Sequence, residues 1–90
     1  VRPLISIYPN PVRRHVAISL QTPVIKNVTL RVYDLTGRQV KDLSAFITSL
    51  TTLINWDCKD GAGRQLPKGV YFIRLSLPND EVTEKIIILK

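Results

Sequence analysis

The side chains of this chain that can do chemistry are few and lie far apart. His15 is the only histidine and Cys58 is the only cysteine among the 90 residues. A catalytic triad needs a nucleophile paired with a base, and a structural zinc site needs four Cys or His ligands. The alternation of apolar and polar residues around His15 also predicts that its side chain points to solvent. We therefore expect no catalytic residue, no metal site and no cofactor.

The acidic residues around one loop are the next candidates, because carboxylate oxygens bind calcium. Asp57 and Asp60 share this loop, and Asp34 joins them if its turn lies nearby. Their spacing does not match the alternating acids of an EF-hand, and Lys59 and Arg64 would oppose a bound cation. The Gly-Ala-Gly run beside them lacks the Lys-Ser/Thr pair of a phosphate-binding loop. We expect these carboxylates to accept hydrogen bonds from loop amides instead.

The charge balance is basic, with a formal net charge of +6 from 13 Lys and Arg against 7 Asp and Glu. Such a balance favours contact with acidic surfaces, of which nucleic acid is the sharpest case. The basic residues are scattered, however, and Arg13 and Arg14 form the only adjacent pair. No apolar run approaches the roughly 18–20 residues that span a bilayer as a helix. We expect neither a nucleic-acid partner nor a membrane-spanning segment.

The length of 90 residues predicts a single domain, residues 1–90, with one modest core. A core of that size leaves no room for a deep substrate cleft, which argues against an independent enzyme. The chain begins with Val1 rather than Met. We therefore expect it to be a piece of a longer protein, whose remaining part would carry any secretion leader.

Apolar residues recur with period two along nearly the whole chain, which is the pattern of β-strands. The predicted strands are Leu4–Tyr8, His15–Leu20, Asn27–Asp34, Gln39–Leu43, Thr51–Asp57, Val70–Leu77 and Val82–Leu89. Residues 44–50 should be irregular, with Phe46 or Ile47 folded inward, and the prolines of Pro9-Asn10-Pro11 predict a rigid corner. Seven short alternating strands favour an all-β fold, a seven-stranded antiparallel immunoglobulin-like β-sandwich. A five- or six-stranded barrel is the main alternative.

Trp56 is the expected centre of the core, because an indole buries more apolar area than any other side chain here. Val28, Leu30 and Val32 alternate along one predicted strand and should face the same core. Tyr71 should pack under the loop that precedes it, with its hydroxyl bonded to the backbone.

The end of the last strand, Ile86–Leu89, is apolar on both faces. An exposed edge of that composition promotes aggregation, so burial or a partner is implied. We expect Ile86 and Ile88 to face the core. Ile87 and Leu89 would then meet another domain or module.

The order of several motifs resembles the C-terminal sorting domain of type IX secretion cargo. These motifs are Tyr8-Pro9-Asn10-Pro11, Val32-Tyr33-Asp34-Leu35-Thr36-Gly37-Arg38-Gln39-Val40, and Gly69-Val70-Tyr71-Phe72 followed by Lys85 and Lys90. The stretch Trp56-Asp57, Asp60-Gly61 and Gly63 is similar to the immunoglobulin-like domain of the flagellar hook-capping protein. The resemblance runs from Tyr8 to Lys90. It departs from the family at Cys58, where glycine is common after the Trp-Asp pair.

What the resemblance implies is a secretion signal and not a catalyst. Such domains fold in the periplasm and are recognised by an outer-membrane translocon. A sortase-like peptidase often cleaves them and attaches the N-terminal cargo domain to the cell surface, so the protein would be secreted or surface-bound. The recognition residues that the resemblance implies by position are Gly69, Val70, Tyr71, Lys85, Ile86, Ile87, Ile88, Leu89 and Lys90.

Two other non-catalytic functions remain open from the sequence. One is an accessory carbohydrate-binding module, although Tyr8, Tyr33 and Phe72 do not form an obvious row of aromatic side chains. The other is a structural spacer or assembly module of a multidomain extracellular protein.

Overall fold

The computed structural model describes residues 2–89, which form seven strands in two sheets. The strands are β1 (Leu4–Tyr8), β2 (Val16–Gln21), β3 (Thr29–Asp34), β4 (Gln39–Asp42), β5 (Thr51–Trp56), β6 (Gly69–Leu77) and β7 (Asp80–Ile88). One sheet has the order β1-β2-β5 and the other β4-β3-β6-β7, with antiparallel pairing throughout. The prediction of a seven-stranded antiparallel sandwich is confirmed, and the barrel alternative is wrong because the two sheets do not join.

The strand boundaries differ from the predicted ones by one or two residues. The third strand begins at Thr29 instead of Asn27, and the seventh begins at Asp80 instead of Val82. The segment after β4 contains a single 3-10 turn, Ser44–Phe46. Of its two apolar candidates, Ile47 packs against the core, whereas Phe46 is 53% exposed. No helix among residues 2–89 is long and apolar enough to cross a bilayer.

The core lies between the two sheets and draws on both strands and loops. Each strand turns alternate side chains inward, as the period of two requires. Trp56, Val28, Leu30, Val32 and Tyr71 are all buried. Segments outside the strands also contribute to the same core cluster, among them Val12, Leu43, Cys58 and Leu66.

The loop after β5 is held by hydrogen bonds to its own backbone. The indole Nε1–H of Trp56 donates to the Lys59 carbonyl at 3.2 Å. The Tyr71 hydroxyl donates to the Pro67 carbonyl at 2.7 Å, which confirms the predicted bond to the preceding loop. The two aromatic side chains therefore tie the long loop to the core from both of its ends.

Cys58 follows the Trp56-Asp57 pair, at the position where the resemblance implies glycine. Its φ of +59° lies in the left-handed region, so the turn keeps the conformation that glycine favours. The side chain is fully buried. Burial raises the pKa of the Cys58 thiol to about 11. The thiol is therefore protonated at neutral pH and serves as a small core side chain.

Candidate recognition surface on the terminal hairpin

The recognition residues implied by the resemblance lie mainly on the hairpin of β6 and β7, where strand alternation divides them. Tyr71, Ile86 and Ile88 are buried and face the core. Val70 pairs with Ile87 across the two strands, and both are half-buried on the opposite face of the sheet. The implied set therefore contains side chains that a partner can touch and others that only shape the hairpin.

The remaining implied residues lie at the ends of the hairpin strands. Gly69 opens β6 with φ +154°, a conformation that other residues rarely adopt. Leu89 follows β7 and is 42% exposed. Lys90 lies outside the described residues.

The outward face of this sheet carries a continuous group of apolar and aromatic side chains beside a lysine. We name it the outer hairpin surface and define it as Tyr33, Val70, Phe72, Lys85 and Ile87. Phe72 pairs with Tyr33 on one side and with Lys85 on the other. The Arg74 guanidinium carbon lies 4.8 Å from the centroid of the Tyr33 ring, at cation–π distance. Aromatic and aliphatic side chains next to a cation suit contact with another protein.

The edge of β7 is covered by the segment Asn10–Val12, which we name the edge clip. The Asn10 Nδ2–H donates to the Lys85 carbonyl at 2.8 Å, and the Ile87 N–H donates to Asn10 Oδ1 at 3.0 Å. The Val12 N–H donates to the Ile87 carbonyl and the Leu89 N–H to the Val12 carbonyl, each at 2.8 Å. Four hydrogen bonds therefore close the outer edge at the C-terminal end of β7, from Lys85 to Leu89.

The amide side chain of Asn10 makes the hydrogen bonds to β7 that the neighbouring backbone cannot make. Its neighbours Pro9 and Pro11 have no N–H to donate to a strand. An asparagine side chain carries both a carbonyl and an NH₂ group, so it can imitate a peptide unit. This role of Asn10 was not predicted from the sequence. The only available signal was an asparagine between two prolines, which predicts a corner and not a strand edge.

Replacing Asn10 with aspartate is expected to loosen the end of β7. A carboxylate still accepts the Ile87 N–H bond, but it cannot donate to the Lys85 carbonyl. We expect a loss of about 1 kcal/mol in the free energy of unfolding. Hydrogen exchange at the Ile87 and Leu89 amides, measured by NMR, should become faster than in the unchanged protein.

The matched control is Asn79→Asp, which makes the same chemical change in the exposed turn between β6 and β7. It should leave exchange at Ile87 and Leu89 unchanged. Equal exchange rates in Asn10→Asp and the unchanged protein would contradict a clip at this edge.

The carboxylates of Asp34 and Asp60, which were considered as calcium ligands, accept hydrogen bonds within their own loops. Asp34 Oδ1 accepts from the Thr36 hydroxyl at 2.6 Å and from the Thr36 and Arg38 N–H groups at 2.9 and 3.0 Å. The Thr36 hydroxyl contributes most to lowering the pKa of Asp34. Asp60 Oδ1 accepts from the N–H groups of Ala62 and Arg64, both at 2.9 Å. Within residues 2–89, no three His, Cys, Asp or Glu side chains are placed to share a metal ion.

His15 is exposed, as its position in the alternation predicts. It lines a depression of about 420 Å³ with Arg14, Asp57, Lys59 and Gln65. Cys58 is buried in the core, so the chain's one thiol is not part of this depression. The two residues with the most versatile chemistry are therefore not brought together.

These features define the class of protein: a small antiparallel β-sandwich module whose last strand is bonded at its end by the edge clip. The family model for the secretion system C-terminal sorting domain matches residues 6–89, and the chain belongs to that family. It is thus a non-catalytic sorting domain of the Por, or type IX, secretion system, and it directs the secretion of the protein attached to it. The family resemblance drawn from the sequence motifs is confirmed.

Two solved structures from Porphyromonas gingivalis are similar to this chain. One is of PorZ, an essential bacterial surface component of the type-IX secretion system, with 22% identity and a TM-score of 0.69 over 96% of this chain and 11% of PorZ. The other is of dimeric latent PorU, with 23% identity and a TM-score of 0.66 over 99% of this chain and 10% of PorU. The chain therefore spans about a tenth of the length of either protein. No curated protein sequence matches the chain.

Proposed function

We propose that the secretion machinery reads this domain through its outer hairpin surface. The observation that carries the proposal is the outward position of Val70, Lys85 and Ile87 on paired strands. Folding needs apolar residues on the inward face of β7, but it does not need Ile87 on the outward face. An apolar side chain beside aromatic rings and an arginine, here Arg74 over Tyr33, is typical of a protein interface.

The partners that we propose are an outer-membrane translocon and a sortase-like peptidase, both taken from the family resemblance. The domain would fold in the periplasm, and its cargo would be an N-terminal domain of the same longer protein. Secretion or surface attachment of that cargo is the outcome expected for the family. Within the implied recognition set, Tyr71, Ile86 and Ile88 would act indirectly, because they hold the hairpin that presents the outward residues.

The test is export of a fluorescent reporter fused to the N-terminus of residues 1–90, in a bacterium that has type IX secretion. The double variant Lys85→Glu/Ile87→Ser changes the charge and the apolar character of the outer hairpin surface. We expect at least about a tenfold fall in exported reporter, as for loss of a central interface contact. The variant should accumulate in the periplasm with an unchanged circular dichroism spectrum.

The control double variant is Lys26→Glu/Leu53→Ser, which makes equivalent changes at exposed residues outside the hairpin. This variant should be exported like the unchanged fusion. Normal export of Lys85→Glu/Ile87→Ser would overturn the proposed surface. Retention of the unchanged fusion, while a known cargo leaves the cell, would overturn the sorting role of these 90 residues on their own.

Carbohydrate binding is the weaker alternative, because the three aromatic residues considered for it do not lie on one sheet. Tyr8 lies on β1 in the three-stranded sheet, whereas Tyr33 and Phe72 lie on the four-stranded sheet. The three residues therefore do not form one row of aromatic side chains on a single strand pair.

A further inference from the structure

Two loops of this domain have the same sequence pattern and the same internal hydrogen bonds. They are Asp34–Arg38 and Asp60–Arg64, which we name the paired Asp-Arg loops. In each loop the aspartate N–H donates to the arginine carbonyl, at 2.9 and 2.8 Å. The glycine between them donates its N–H to the aspartate carbonyl, at 3.0 Å in both loops, and has φ of +90° or +83°. Each loop thus presents its arginine in the same way.

Each of the two arginines contacts an aspartate through Nε, while most of its side chain is exposed. Arg38 Nε lies 3.5 Å from Asp34 Oδ2, and Arg64 Nε lies 3.3 Å from Asp60 Oδ2. Both arginine side chains are nevertheless 79% exposed. The ion pairs orient each guanidinium through Nε, and the high exposure leaves the terminal NH₂ groups accessible. A guanidinium with accessible NH₂ groups can bind a carboxylate with two parallel hydrogen bonds.

Both arginines line the same groove, which has a volume of about 510 Å³. The Asp60–Arg64 loop is joined to β4, the strand that follows Arg38, because the Gly61 N–H donates to the Val40 carbonyl at 3.0 Å. The amide side chains of Gln39 and Gln65 also line this groove. Gln65 also lines the neighbouring depression, and Arg14 and Lys59 line that depression as well.

The charge of the domain is concentrated at this end of the sandwich. Residues 9–15, 34–38 and 57–68 contain six Arg and Lys against three Asp, a net charge of +3. The segments at the opposite end, residues 22–28, 43–50 and 78–80, contain one Lys and one Asp. An acidic partner is therefore attracted to the end that carries the groove.

We propose that the groove between the paired Asp-Arg loops binds the carboxylates of an acidic peptide segment on a partner protein. Arg38 and Arg64 would each bind one carboxylate, and the Gln39 amide would bond to the peptide backbone between them, whereas the Gln65 Nε2–H donates to the Cys58 carbonyl at 3.1 Å within the domain. The Asp60 carboxylate in the groove would repel a dense polyanion such as nucleic acid. Separate carboxylates on a peptide can approach the two guanidiniums while avoiding it. This surface is independent of Lys85 and Ile87, so the two proposals can fail separately.

The test is NMR titration of the 90-residue chain with a capped Glu-Gly-Glu-Gly-Glu peptide. The peptide should shift the amide signals of Arg38, Gly61 and Arg64. The double variant Arg38→Gln/Arg64→Gln should weaken binding by at least about tenfold, because two charge-assisted contacts are lost. The control Arg2→Gln/Lys26→Gln removes the same charge elsewhere and should change the affinity by less than about twofold.

Three outcomes would overturn this site. Equal weakening by both double variants would show that only the overall charge matters. If the Gln-Gly-Gln-Gly-Gln peptide bound as tightly as the Glu-Gly-Glu-Gly-Glu peptide, the groove would not recognise carboxylates. Tighter binding of inorganic phosphate to the same residues would assign the groove to phosphate groups.

A second double variant serves if Arg38→Gln/Arg64→Gln does not fold. Arg38→Lys/Arg64→Lys keeps the charge but lacks the guanidinium fork. Undiminished peptide binding by that variant would contradict the proposed geometry.

Discussion

Trp56→Ala is expected to cost about 3–5 kcal/mol of unfolding free energy, which is most of the stability of a domain this small. The indole is only 3% exposed, and no other side chain of the core is as large. Its loss would leave a cavity between the sheets and would free the Lys59 carbonyl from its hydrogen bond. Guanidinium denaturation followed by far-ultraviolet circular dichroism measures the change.

Two controls separate the ring from its position in the strand. Trp56→Phe keeps an aromatic ring but loses the N–H bond to Lys59, so we expect it to lose less stability than Trp56→Ala. Leu53 lies on the same strand and is 68% exposed. Leu53→Ala should therefore lower the free energy of unfolding by less than about 1 kcal/mol. A cost below about 1 kcal/mol for Trp56→Ala would show that the core does not depend on this residue.

Ile86→Ala is expected to destabilise the domain by about 2–5 kcal/mol, although the next residue should tolerate the same change. Ile86 is fully buried, and its cross-strand partner Tyr71 is also in the core. Truncation at this position opens a cavity that β7 cannot close, because the clip and the hairpin hold both of its edges. Ile87 is half-buried on the outward face, so Ile87→Ala removes less contact and should cost about 1 kcal/mol or less.

The measurement is the same denaturation experiment on both single variants. The comparison is internal, because two identical side chains in adjacent positions receive the same substitution. Similar losses in Ile86→Ala and Ile87→Ala would contradict the assignment of the two residues to opposite faces. A large gap between them would also justify using Ile87, and not Ile86, in export experiments.

The strands could be read from the sequence because the period of two is a local property of the chain. The run from Thr29 to Asp34 shows this most clearly, since its apolar residues alternate without interruption. The strand ends were less certain, because pairing with a neighbour decides where a strand stops. β7 begins at Asp80 because Leu77 pairs with that residue across the turn, which no apolar pattern indicates.

The surfaces that matter for function could not be read in the same way. Asn10 bonds to Lys85 and Ile87, which lie 75 and 77 residues further along the chain. Arg38 and Arg64 belong to loops of similar sequence, but only the packing of the Gly61 loop against β4 makes them line one groove. Such contacts depend on the order of strands in the sheets, and that order is not written in any local pattern.

The sequence by itself therefore determined the type of each element, the inward faces of the strands and, through the order of its motifs, the family. Local alternation and motif order carry this information without reference to distant residues. Only the tertiary structure decided that the edge clip Asn10–Val12 bonds to the end of the last strand, and that Arg38 and Arg64 line one groove. The physical reason is that edge coverage and shared surfaces arise from long-range pairing, which places side chains together only after the two sheets have formed.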